Sequence, residues 1–125
     1  MLIKEEKTLQ AIQDEFSTAY PFLKIEFYAS GHKMGEGTPA GQQLDPSRTI
    51  GEVRQKTTEG DLELVSNMKV VDVERLFRDK YELNVQIFRK SGEIWLQTTA
   101  TDEWTLAEQN RKGERSTLAL YDSEE

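Results

Sequence analysis

The sequence predicts an α+β fold from three observations: apolar residues recur with a helical period in two separate stretches, they alternate strictly between Leu23 and Ala29, and residues 84–99 carry a hairpin pattern. The elements follow the order helix, strand, loop, strand, helix, strand, strand, helix. That order predicts a mixed sheet of about four strands with helices mainly on one face, in a ferredoxin-like or β-grasp-like layout.

Between Glu5 and Tyr20, Leu9, Ile12, Phe16 and Ala19 recur at steps of three, four and three among charged and amide residues. This is an amphipathic helix that Pro21 cannot continue. Leu23, Ile25, Phe27 and Ala29 then alternate with Lys24, Glu26 and Tyr28, the pattern of a half-buried strand. Residues 30–48 hold four glycines and two prolines with no apolar period, which predicts a long surface loop. Thr49-Ile50-Gly51-Glu52 has capping-box spacing and predicts a helical turn over 49–55. After Glu59-Gly60, Leu62 and Leu64 alternate with Asp61 and Glu63 as a second strand.

Val70, Val73, Leu76, Phe77 and Tyr81 mark the stripe of the next helix, with Glu74–Arg78 and Arg75–Asp79 as opposite charges four apart on its wet side. The strand-helix-strand step over 61–90 predicts a right-handed parallel crossover. The hairpin places Ser91-Gly92 at its tip, so that Lys90 faces Glu93, Arg89 faces Ile94, Phe88 faces Trp95 and Ile87 faces Leu96. Thr105-Leu106-Ala107-Glu108 repeats the capping-box spacing and opens a last helix to about Lys112. Residues 1–112 read as one α+β domain and 113–125 as a polar, acidic tail, with no internal repeat.

Composition narrows function. A chain of 125 residues buries a core without metals or disulfides, and its 36% apolar and 31% charged residues place it outside the disordered regime. A net charge of −7 works against polyanion binding, which needs a surplus of Lys and Arg to release counterions, so nucleic acid is an unfavoured partner. Cysteine is absent from the sequence, which excludes disulfides, thiolate nucleophiles and zinc-thiolate sites. No apolar run has the length of a secretory signal or a membrane span, so no membrane association is expected and a cytoplasmic location is the default.

The chemistry-bearing residues form small groups. His32 is the single histidine and sits in the glycine-rich loop with Lys33, where it suits acid–base work if the loop closes on a ligand. Gly31 to Gly37 loosely resembles a phosphate cradle, with Lys33 adding charge, but it lacks the order of a P-loop. A solvated loop histidine explains the same residues. Phe88 and Trp95, with Arg89 and Lys90 beside them, form an aromatic and basic patch suited to a protein partner or to self-association. The same pair is a core feature if the last helix, with Trp104 and Leu106, covers it. Thr98 to Asp102 is a run of hydroxyls and a carboxylate that reads as a strand end handing over to a helix.

No cofactor and no metal site is implied. The reading that follows is a non-enzymatic binding or assembly module using the hairpin face. The alternatives are a small enzyme or anion binder built on His32 and Lys33, and single-stranded nucleic-acid binding on the sheet.

Overall fold

The computed structural model describes residues 1–29 and 42–122. Its elements are β1 (Leu2–Ile3), α1 (Leu9–Ala19), β2 (Leu23–Tyr28), β3 (Gly60–Asp61), α2 (Val70–Tyr81), β4 (Asn84–Ser91), β5 (Ile94–Gln97) and α3 (Leu106–Asp122), an α+β chain in the expected order with one short strand ahead of it. In place of one four-stranded sheet, the strands form a three-stranded sheet of order β2-β4-β5 and a separate pair, β1-β3.

All these pairings are antiparallel, so the parallel crossover over 61–90 does not form. The reason is occupancy: β4 already has β2 on one edge and β5 on the other. The expected strand at Leu62 and Leu64 shortens to Gly60–Asp61, which pairs with β1, while Leu62 is buried as a core plug.

The helices follow their apolar stripes. Thr8 caps α1 by accepting the Ala11 N–H at 3.1 Å, and Leu9, Ile12 and Phe16 are buried beneath it. In α2 the stripe is Val70, Val73, Phe77 and Tyr81, and Phe77 meets Phe27 of β2 edge-on with ring centroids 6.3 Å apart. These residues join Leu23, Ile25, Val85, Ile87 and Leu106 in one core on the odd-numbered face of β2 and β4.

The charges expected on the wet side of α2 are rearranged: Glu74 is only 5% exposed, with Arg78 still acting on it, Arg75 pairs with Asp72 at 3.3 Å, and Arg78 pairs with Asp79 at 3.0 Å. The α2 C-cap, Glu82, has φ 54° and accepts the N–H groups of Gln55 and Lys56.

An internal correspondence emerges that linear reading does not show. Leu9, Ile12, Phe16 and Tyr20 have the same spacing as Val70, Val73, Phe77 and Tyr81. Isolated bridges join Thr8 to Thr49 and Lys69 to Thr105, next to the start of each helix. Both capping boxes close reciprocally, with Glu52 bonding back to Thr49 and Glu108 to Thr105. The chain thus contains two α–β units whose strands meet antiparallel, Ile25 opposite Ile87. At Thr49 the box stops at a turn, although Ile50 and Gly51 give their N–H groups to Lys7 and Glu5 as Leu106 and Ala107 give theirs to Met68 and Ser66 at the start of α3.

Two further features hold the ends. The buried Arg54 side chain pairs with the Glu5 carboxylate, donates to the Tyr81 carbonyl at 2.7 Å and to the Thr58 carbonyl at 2.6 Å. It ties the N-terminal segment to the end of α2. The last helix continues through Gly113, where a polar tail is expected from sequence, because a glycine there lets α3 approach closely. A Cβ at Gly113 would lie 2.9 Å from Phe22 Cβ and 3.1 Å from Arg89 Cγ.

Candidate functional site

The hairpin turns one residue later than its sequence suggests. Gly92 and Glu93 form the loop, with Gly92 at φ 66° as the first loop position of a tight hairpin requires. Thr117 of α3 accepts the Gly92 N–H at 3.2 Å and fixes the tip. Consequently Lys90 faces Trp95, Arg89 faces Leu96 and Phe88 faces Gln97. Each partner moves by two places, an even number, so every side chain keeps its face.

Phe88, Lys90 and Trp95 therefore do share a face, with Phe88 and Trp95 as diagonal neighbours. Lys24 joins them from β2, where it stands opposite Phe88. Its ammonium lies 5.2 Å from the Phe88 ring centroid and 5.1 Å from that of Trp95, and Lys90 lies 6.0 Å from Trp95. Glu26 completes the row, 3.5 Å from Lys24. Both aromatic residues are half-buried. The alternation in β2 puts Lys24 and Glu26 on one face, but their place beside Phe88 depends on strand order.

Arg89 does not belong to this group. It projects from the opposite face, against α3, where its Nη1 donates to Gln109 at 2.8 Å and its guanidinium sits 5.5 Å from the Trp104 ring centroid. Burial lowers its pKa from the usual guanidinium value. With Leu106 buried in the core on that side, α3 packs against the face opposite Phe88 and Trp95 and is not their lid.

Trp104 in turn lines a concavity of about 260 Å³ with Glu108, Arg111, Lys112 and Arg115 on the outer side of α3. Arg111, Lys112 and Arg115 recur at helical spacing, a cationic stripe hidden by the net acidity of the chain.

Between the two faces runs β5, the outer strand of the sheet. Ile94 is 60% exposed and Leu96 37%. Its backbone orientation follows from the ladder. The Lys90 N–H bonds to Phe22 O, so even-numbered residues of β4 point toward β2; Thr98 N–H bonds to Ile87 O, so odd-numbered ones point toward β5. Leu96 and Ile94 complete those bonds, which turns the N–H and C=O of Trp95 and Gln97 outward.

The remaining candidates resolve differently. His32 and Lys33 lie outside the described residues. In the Thr98–Asp102 run, Thr98 donates to Ile87 O at 2.8 Å, and Thr99–Thr101 form a single 3-10 turn leading into α3. Glu74 is buried where β5 ends. Desolvation pushes its carboxyl up to about 8, a hydrogen bond from the Ile87 N–H acts downward, Asp102 raises it and Arg78 lowers it. It stands in for a strand partner at Ile87. No group of three or more His, Asp or Glu side chains among the described residues is arranged to hold a metal, and no described helix is long and apolar enough to cross a membrane. No family model, curated protein or solved structure matches the chain.

Proposed function

We propose that this chain is a protein-binding module whose contact surface is the β4–β5 hairpin. The observation that carries the reading is the half-buried Phe88 and Trp95 pair, held by Lys24 and Lys90 on the face opposite α3, with the exposed Ile94 and Leu96 of the outer strand projecting from its other face. Rigid aromatic side chains beside long cationic ones are the composition of binding hot spots. A cation over an aromatic ring keeps that ring in place without covering it, so the surface is organised before a partner arrives.

The test is a random peptide-display selection on the parent protein, with Trp95→Ser and a helix-side variant, Arg75→Ala, as counter-screens. Selected peptides are expected to lose binding to Trp95→Ser and to keep it on Arg75→Ala. Peptides indifferent to Trp95→Ser would place the contact surface elsewhere.

A further inference from the structure

We infer that the outer strand β5 takes its partner as an added strand, and that the partner segment is extended and acidic, with apolar residues at alternate positions. This rests on the hairpin being the contact surface and adds the mode and chemistry of binding.

Three observations carry it. The first is the edge itself. Proteins guard exposed strand edges with charges, proline or bulges, but β5 reads Ile-Trp-Leu-Gln, without charge or proline, and pairs with β4 in unbroken register. The second is the backbone. Trp95 and Gln97 present their N–H and C=O groups outward, and no described backbone group bonds to them. A segment laid alongside gains these main-chain bonds while its alternate side chains meet the two faces in turn.

The third is charge. Lys7, Lys24, Arg48, Arg54, Lys69, Arg75 and Arg78 each hold an ion pair. Of the eight described cations with no ion pair to another described residue, Lys4, Lys56 and Lys80 lie elsewhere, while Arg89, Lys90, Arg111, Lys112 and Arg115 lie on the hairpin and on the α3 face behind Trp104. In a chain of net charge −7, this is the region that attracts a negative segment. Alternation puts the apolar residues of the segment on one face, over Ile94 and Leu96, and its carboxylates on the other, beside Lys90 and Trp95. A second copy of this chain fits less well, because it brings the same net charge and the same cations to the contact.

The experiment uses two capped octapeptides, one alternating Glu with Val and the other Lys with Val, titrated into the full chain. Binding is read by Trp fluorescence and by amide exchange at Trp95 and Gln97. Gln97→Pro is the decisive variant: it deletes one outward N–H while leaving the bonds to β4 intact, and Gln97→Ala is its control.

The Glu–Val peptide is expected to bind and to slow exchange at both amides. Gln97→Pro should weaken it about tenfold, the equivalent of one lost hydrogen bond, while Gln97→Ala stays within about twofold. Should Gln97→Pro unfold, amide protection in the parent protein decides alone. Equal or tighter binding of the Lys–Val peptide would overturn the acidic partner. Binding that shifts the Phe88 and Trp95 rings yet leaves both amides unprotected would overturn strand addition while the hairpin remains the contact surface. Concentration-dependent protection of the same amides without peptide would assign the edge to a second copy and overturn the proposal. No response to either peptide would also overturn it, and the display selection would then judge the contact surface separately.

Discussion

Replacing Glu74 by Gln should stabilise the protein at neutral pH and flatten its stability profile. Glu74 is 5% exposed and its carboxyl is pushed up to about 8, chiefly by desolvation. In the unfolded chain a glutamate ionises near 4.3. Between these values the folded state holds a proton that the unfolded state has released, so stability falls as pH rises through that window and levels off above the folded value. The displacement corresponds to an upper bound of about 5 kcal/mol, at 1.36 kcal/mol per pH unit. Relaxation around a buried carboxyl reduces this, and a gain of about 2–4 kcal/mol for Glu74→Gln at pH 8 is expected.

Glutamine keeps the shape and the oxygen that accepts the Ile87 N–H, so little packing is lost. Urea unfolding of both proteins across pH 5–9 measures the difference directly. The variant should lead by no more than about 1 kcal/mol near pH 5 and pull further ahead as pH rises. Parallel profiles, or a gain that shrinks with pH, would refute the burial argument.

Gly113→Ala should destabilise by about 1–3 kcal/mol through overpacking against Phe22 and Arg89, even though Ala is the better helix former by about 1 kcal/mol; thermal unfolding checks the sign. Arg54→Ala should cost about 3–5 kcal/mol, because it leaves the Glu5 carboxylate and the Tyr81 carbonyl without their buried donor, and amide exchange should rise first in residues 50–60 and at the end of α2.

What the sequence reveals here is mostly local. The stripes of α1 and α2, the alternation of β2 and both capping boxes depend on neighbours three or four residues away at most, and most of their residues lie where predicted. Ala19 and Ala29, expected on buried faces, are exposed, Tyr28, expected on the polar face, is buried, and the Thr49 box closes a turn only. What fails depends on distant partners. The parallel crossover requires a free edge on β4, yet β2 and β5 occupy both, which no residue between 61 and 90 announces. Gly113 reads as a helix stop until Phe22 and Arg89 show why a side chain has no room. Glu74 and Arg78 have the spacing of a surface ion pair, but the end of β5 leaves the Ile87 N–H needing an acceptor and draws Glu74 inward.

The candidate site divides in the same way. Phe88, Lys90 and Trp95 survive a change of register because an even shift preserves faces, while Arg89, adjacent in sequence, lies on the other side by strand alternation. Lys24, Trp104 and the Arg111, Lys112 and Arg115 stripe come together only in three dimensions. Each has a faint signal in sequence, namely parity in β2 and helical spacing in α3. Neither signal is decisive without the order of the strands.

The most direct measurement is urea unfolding of Trp95→Ser beside Phe77→Ala, a truncation in the undoubted core, where Phe77 has no exposed surface. Loss of Phe77 should cost about 3–5 kcal/mol. If Trp95 belongs to a contact surface, Trp95→Ser should cost about 1–2 kcal/mol, the loss of partial burial and of the lysine contacts. A loss equal to that of Phe77→Ala would make Trp95 a core residue and contradict the assignment of the hairpin as the binding surface.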